Sequence, residues 1–202
     1  MERIRLSDTD MDTAAAWAAA TLRAGGIVLY PTDTVYGLGA DAGNEEALTS
    51  LARLKGRPDG KPFLLAVADM DMAARYGYFT PLAQKLADVH WPGALTLVLD
   101  AERPLSPFVS KDGSVALRAP AHPFCAALSR AFGAAYTSTS ANPAGKEPGL
   151  DPDAISAALG SAVDIALVID GGMLRSSQGS TIVDARGGEP HILRQGSLSI
   201  VN

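Results

Sequence analysis

The chain has 202 residues, and its 47% hydrophobic content is enough to bury a substantial core, so one globular domain over residues 1–202 is expected. No stretch approaches the roughly 20 uninterrupted apolar residues of a membrane-spanning helix, and the N-terminal Met1-Glu2-Arg3-Ile4-Arg5 lacks the apolar run of a signal peptide, so a cytoplasmic protein without a membrane partner is expected. A formal net charge of −5 excludes a surface built throughout to hold nucleic acid, though not a local basic cleft, and the single cysteine, Cys125, excludes an internal disulfide and a Cys-rich metal site.

In chain order, residues 13–24 are rich in Ala and predict a helix that Gly25-Gly26 ends by supplying left-handed backbone. Residues 27–30 predict a strand broken by Pro31. Residues 32–39, Thr-Asp-Thr-Val-Tyr-Gly-Leu-Gly, predict a loop able to wrap a small polar ligand. Asn44 is placed to cap a helix over 45–54 that is acidic in its first turn and basic at its end. Further strands are predicted over 63–68, 95–99, 115–118, 134–137, 165–169, 181–184 and 192–193, and helices over 81–90, 123–132 and 152–159. Strands interleaved with helices predict an α/β protein, and the close spacing of the last strands predicts that part of the sheet is antiparallel.

Three clusters put charged or hydroxylated side chains beside strand ends, where open α/β sheets bind ligands. In Lys55-Gly56-Arg57 two cations separated by a glycine can converge on a polyanion; taken alone, the segment reads first as a solvated basic helix end. Thr137-Ser138-Thr139-Ser140-Ala141-Asn142-Pro143 concentrates neutral hydrogen-bonding groups that suit phosphate oxygens or a nucleobase, and equally suits a Ser/Thr-rich turn. Near the C-terminus, residues 179–184 precede Ile192-Leu193-Arg194-Gln195-Gly196, in which Arg194 is aimed into a cleft or is an ordinary surface arginine. No phosphate-loop motif, no complete dinucleotide-binding glycine turn and no G-x-S-x-G elbow is present, and His90, His122 and His191 lack metal-ligand spacing. His90 and His122 read as helix-boundary residues, and Cys125 as buried packing.

Together and in this order, the segments resemble the YrdC-like threonylcarbamoyl-AMP synthase family, from about Gly25 to Gly196. Residues 31–38 resemble its opening signature. Lys55-Gly56-Arg57 matches its K-x-R element and Ser140-Ala141-Asn142 its S-x-N element, with residues 115–120, His122-Pro123, 179–184 and 193–196 falling where the family places them. The resemblance implies a twisted mixed parallel/antiparallel sheet flanked by helices, with an open cleft. It implies an enzyme that joins L-threonine, bicarbonate and ATP into threonylcarbamoyl-AMP, releasing pyrophosphate, for modification of tRNA. By family position, Lys55 and Arg57 neutralise developing charge, and Lys55, Arg57, Lys61, Ser138, Ser140, Asn142 and Arg194 hold the nucleotide with magnesium on its phosphates. Thr34, Arg118 and Ser180 surround threonine. Partner proteins for transfer to tRNA are implied, as is contact with tRNA or double-stranded RNA. Where some relatives read Asn-Pro-Leu-Ile-Val-His, this chain reads Lys61 to Ala66, so Ala66 stands in place of a histidine that would face threonine. The chain stops six residues after Gly196, as expected of a short form.

Three alternatives differ in what they require. A nucleotide- or RNA-binding paralogue without catalysis would lack the paired K-x-R and S-x-N elements. The carbamoyl-transfer module of hydrogenase maturation proteins shares Lys-Pro-Phe after K-x-R-P but sits in long chains with Cys-rich zinc fingers. A plain RNA-binding protein needs basic surface and interleaved aromatics, and aromatic content here is 6%.

Overall fold

A computed structural model describes residues 2–56, 61–143, 145–159, 165–175 and 178–200. The chain begins with β1 (Glu2–Arg5), α1 (Met11–Arg23), β2 (Ile27–Tyr30), β3 (Gly37–Gly39), α2 (Glu45–Leu54) and β4 (Leu64–Ala66). Then follow α3 (Met70–Ala73), β5 (Gly77–Tyr78), α4 (Pro81–His90), β6 (Leu95–Ala101), β7 (Ser110–Lys111) and β8 (Ser114–Arg118). The chain closes with α5 (Pro123–Phe132), β9 (Tyr136–Ser140), α6 (Pro152–Leu159), β10 (Ile165–Asp170), β11 (Thr181–Asp184) and β12 (His191–Arg194).

Local chemistry sets the helix ends. The Asp10 carboxylate accepts from Thr13 N at 2.9 Å, so α1 starts two residues before the expected helix, and Gly25 leaves it at φ +80°. The Asn44 side chain accepts from Glu46 N and Ala47 N to open α2. His122 caps α5, its Nδ1 accepting from Phe124 N at 3.2 Å, and Gly133 ends that helix at φ +80°.

The strands form one mixed sheet in the order β1-β10-β2-β3-β9-β4-β8-β6-β11-β12, with β5 and β7 added to β6 and β8. The β1–β10, β10–β2, β4–β8 and β6–β11 pairs are parallel and the rest antiparallel. All four residues of β2 are buried because both faces of that strand are covered. Val28 and Tyr30 join Ala14, Leu22, Phe124 and Leu128 under α1 and α5, while Ile27 and Leu29 join the larger core with Leu48, Leu51 and Leu97. Each such side chain contributes about 1.5–3 kcal/mol of burial free energy. Cys125 is fully buried in the smaller cluster, where burial pushes its thiol up to about 12.

Three expectations are corrected. The strand expected over 63–68 pairs only over Leu64–Ala66, because the flanking amides turn elsewhere: Phe63 N donates to Phe108 O. The strand expected over 134–137 is β9, so the hydroxyl run lies within the strand. Residues 37–39, expected as loop, form a short strand between β2 and β9. Among the described residues no helix is long and apolar enough to cross a membrane.

Candidate active site

A cleft of about 200 Å³ crosses the middle of the sheet, and register explains its lining. Gly37 faces Ser140, Leu64 faces Ser138 and Ile182 faces Thr96, so strands far apart in sequence deliver neighbouring wall residues. Of the candidate residues, Thr34, Arg118, Ser138, Ser140, Ser180 and Arg194 all line this cavity.

Arg118, at the end of β8, is 6% exposed, and three separate partners fix its guanidinium. Its Nε donates to Gly93 O at 2.9 Å, one terminal nitrogen to Thr34 Oγ1 at 2.9 Å, and the other to Asp33 Oδ1 at 2.7 Å. Thr34 is itself held by Thr32, whose hydroxyl lies 3.0 Å from Thr34 Oγ1, donates to Val35 O at 2.7 Å and accepts from Thr34 N. A guanidinium carries five N–H donors, so three bonds leave two for a ligand, in the fork geometry that suits a carboxylate.

Across the cleft, the Ser180 hydroxyl lies 2.8 Å from Thr96 Oγ1, and Arg194 donates to Ser180 O at 2.8 Å. The chain after Arg194 folds back on the same strand: Ser197 N donates to Gly179 O at 3.0 Å and Gly196 N to Thr181 Oγ1 at 3.0 Å. A Cβ on residue 196 would stand 2.4 Å from the Ser180 carbonyl carbon, so only glycine fits this crossing. Arg194, although exposed, therefore lines the cleft wall.

The S-x-N segment is organised from below. Lys55 is 2% exposed, and its ammonium donates to Ser140 O at 2.6 Å, to Asn142 Oδ1 at 3.0 Å and to Asn142 O. The Ser140 hydroxyl donates to the same Asn142 oxygen at 2.5 Å, and the Asn142 amide nitrogen donates to Lys146 O. By family position Lys55 was expected at the nucleotide. In this structure three of the oxygens around that ammonium are carbonyl oxygens of the S-x-N segment, which it holds in shape. Lys61 is exposed, and neither it nor Asn142 lies among the cavity-lining residues; Arg57 falls outside the described residues. Ala66, standing where a histidine was looked for, is buried with Tyr30, Phe124 and Tyr136 and does not line the cleft.

Thr32, Asp33 and Tyr36 were named only within the 31–39 segment, and Thr96 was not singled out from the sequence. Thr96 carried a signal: a hydroxyl within Leu-Thr-Leu-Val-Leu, fully buried here against Ser180. Tyr30 acts from the smaller core, where burial raises its phenol and its hydroxyl donates to Ser138 Oγ at 2.6 Å. Burial likewise pushes Tyr36 up to about 12. Among the described residues no group of three or more His, Cys, Asp or Glu side chains is placed to hold a metal ion. The arrangement suits binding and neutralising anions, with two fixed guanidiniums set among neutral hydroxyls.

The family described as Telomere recombination, Sua5/YciO/YrdC, matches residues 20–196. The chain is 41% identical over 151 residues to a threonylcarbamoyl-AMP synthase of Halorhodospira halophila, covering 73% of this chain and 78% of that one. It is 39% identical over 173 residues to that of Alkalilimnicola ehrlichii, covering 84% and 90%. Among solved structures, P. abyssi Sua5 complexed with L-threonine superposes with a TM-score of 0.86 at 31% identity over 96% of this chain, which spans 57% of that longer chain. With nearly the whole sheet and every wall of the cleft inside the matched region, the chain belongs to the Sua5/YciO/YrdC family.

Proposed function

We propose that this protein is a threonylcarbamoyl-AMP synthase, joining L-threonine, bicarbonate and ATP into threonylcarbamoyl-AMP with release of pyrophosphate. The observation that carries the reading is the pair of guanidiniums, Arg118 and Arg194, fixed on separate strands around one hydroxyl-lined cleft. Two anions must meet in this reaction, an amino-acid carboxylate and a triphosphate, and two separated cations suit that need. The relatives' names and the threonine-bound Sua5 support the same substrates.

The threonine amine attacks the carbon of bicarbonate, forming the N–C bond of a carbamate with loss of water. A carbamate oxygen then attacks the α-phosphate, and the bond to the β-phosphate breaks to release pyrophosphate. Neither step needs a protein nucleophile; both need alignment and charge neutralisation. Arg118 takes the threonine carboxylate with its two remaining donors, and Thr34 and Ser180 border the amino acid. Ser138, Ser140 and Arg194 face the nucleotide, Lys55 holds the S-x-N segment in shape, and the family resemblance assigns Arg57, Lys61 and Asn142 to the nucleotide. Magnesium enters on the ATP phosphates as part of the substrate, in keeping with a cleft lined by hydroxyls. The product passes to tRNA through partner proteins in the cytoplasm.

Pyrophosphate release by purified protein with magnesium, ATP and bicarbonate, with and without L-threonine, is the test. Threonine-dependent release that disappears in Arg118→Ala and Arg194→Ala supports the reading. Release from carbamoyl phosphate in place of threonine and bicarbonate, or no release, overturns it.

A further inference from the structure

One wall of the cleft is built from two loops distant in sequence. Pro148 lines the cavity, and its segment is tied at one end through the Asn142 amide to Lys146 O and at the other by Leu174 N donating to Leu150 O at 2.9 Å. The loop after β10 therefore carries the 148–150 segment. That loop is itself pinned by one side chain. Tyr36 Oη accepts from Gly171 N at 2.9 Å and donates to Gly172 O at 2.7 Å, bonding two successive residues of the loop. The Tyr36 ring is fully buried in the larger core beside the cavity, whereas the loop buries little itself: Met173 is 77% exposed, and Gly171 and Gly172 are exposed. Burial keeps the phenol protonated through the neutral range, so both bonds persist there.

We propose that Tyr36 is a positioning residue for the nucleotide: its hydroxyl fixes the 171–174 loop, which holds the Pro148 segment against the S-x-N end of the cleft. The proposal rests on the synthase reading for its ligand. Because the segment adjoins Asn142 and not Arg118, it governs ATP affinity and leaves threonine affinity and the chemical step alone.

The test uses the whole chain with Tyr36→Phe, which keeps the ring and removes both bonds, and Gly172→Ala. Gly172 has φ +75° with open space around a Cβ, so alanine strains the backbone and displaces the accepting carbonyl without touching the core. ATP affinity is read by calorimetry, KM and kcat by pyrophosphate release, and loop exchange by deuterium uptake. In both variants the ATP dissociation constant and KM rise about tenfold, the size expected for two ordinary hydrogen bonds. The KM for threonine and kcat stay within about twofold, and deuterium uptake rises in both 145–151 and 171–174. An unchanged KM for ATP, a fall confined to kcat, or faster uptake in 171–174 alone overturns the proposal. Should Tyr36→Phe not fold, Gly172→Ala decides the matter by the same readings. Absence of threonine-dependent release in the unsubstituted protein removes the synthase reading, and the calorimetric comparison then judges Tyr36 alone.

Discussion

Removing the Arg118 guanidinium is the sharpest probe of how the cleft is held. Arg118→Ala strands the Asp33 carboxylate, whose side chain is 18% exposed, and deletes bonds to Thr34 Oγ1 and Gly93 O. Breaking a buried ion pair costs about 3–5 kcal/mol, and partial exposure of Asp33 places this pair at the low end, about 3 kcal/mol. For a chain of this size that lowers Tm by roughly 6–12 °C. Urea denaturation with Asp33→Asn and the double variant closes a cycle, and a coupling of about 2 kcal/mol is expected because the two charges share one contact. Pyrophosphate release should fall at least about hundredfold in Arg118→Ala, since the same group takes the substrate carboxylate. A stability loss below about 1 kcal/mol, or a coupling below about 0.5 kcal/mol, would show that the pair is an ordinary surface contact and refute the reasoning.

Three further outcomes follow from the geometry. Lys55→Ala leaves the Ser140 and Asn142 carbonyls without their donor and should lower stability by about 2–3 kcal/mol in urea melts, with loss of pyrophosphate release; Lys55→Arg, too bulky for a site 2% exposed, should not restore it. Burial lowers the pKa of His122 against the opposing pull of Asp33, so the native state takes up its proton less readily than the unfolded chain. Stability from this group is full above the unfolded pKa of roughly 6.5 and is lost as pH falls below it, and the slope between pH 7 and 5 should flatten in His122→Asn, which keeps an N-cap. Gly196→Ala should reduce release at least about tenfold, because a Cβ 2.4 Å from the Ser180 carbonyl carbon forces the tail and Arg194 away from the cleft; unchanged kinetics would exclude that crossing as a constraint.

Much of the fold was legible because local rules agreed with the final packing. Asn44 before two glutamates, Gly25 after an Ala-rich run and the Val-Ala-Leu-Arg strand each carry their own signal. The misses are elements that only neighbours stabilise. Glu2–Arg5 is charged and exposed, and it is a strand because β10 supplies parallel partners 165 residues away, as Glu2 pairs with Leu167. Gly-Leu-Gly has no strand propensity and becomes β3 by lying between β2 and β9. In the cleft, the family resemblance pointed to Thr34, Arg118 and Ser180 and the residue pattern to Arg194, but which way an ammonium turns is decided by tertiary partners. Lys55, placed at the nucleotide by the resemblance, reaches carbonyls 85 and 87 residues along the chain. The Arg118–Asp33 pair spans 85 residues and left no local trace.

The strand order has a consequence for biosynthesis. β1 has as its neighbour β10, which is made about 160 residues later, and β6 receives β11 only once residues 181–184 have been made. Until residues 165–184 have been made, the emerging polypeptide therefore carries unpaired sheet edges and an incomplete apolar core. The catalytic cleft comes into being as a late event, when Ser180 and Arg194 arrive to close a wall whose other side was synthesised some 150 residues earlier, at Thr34.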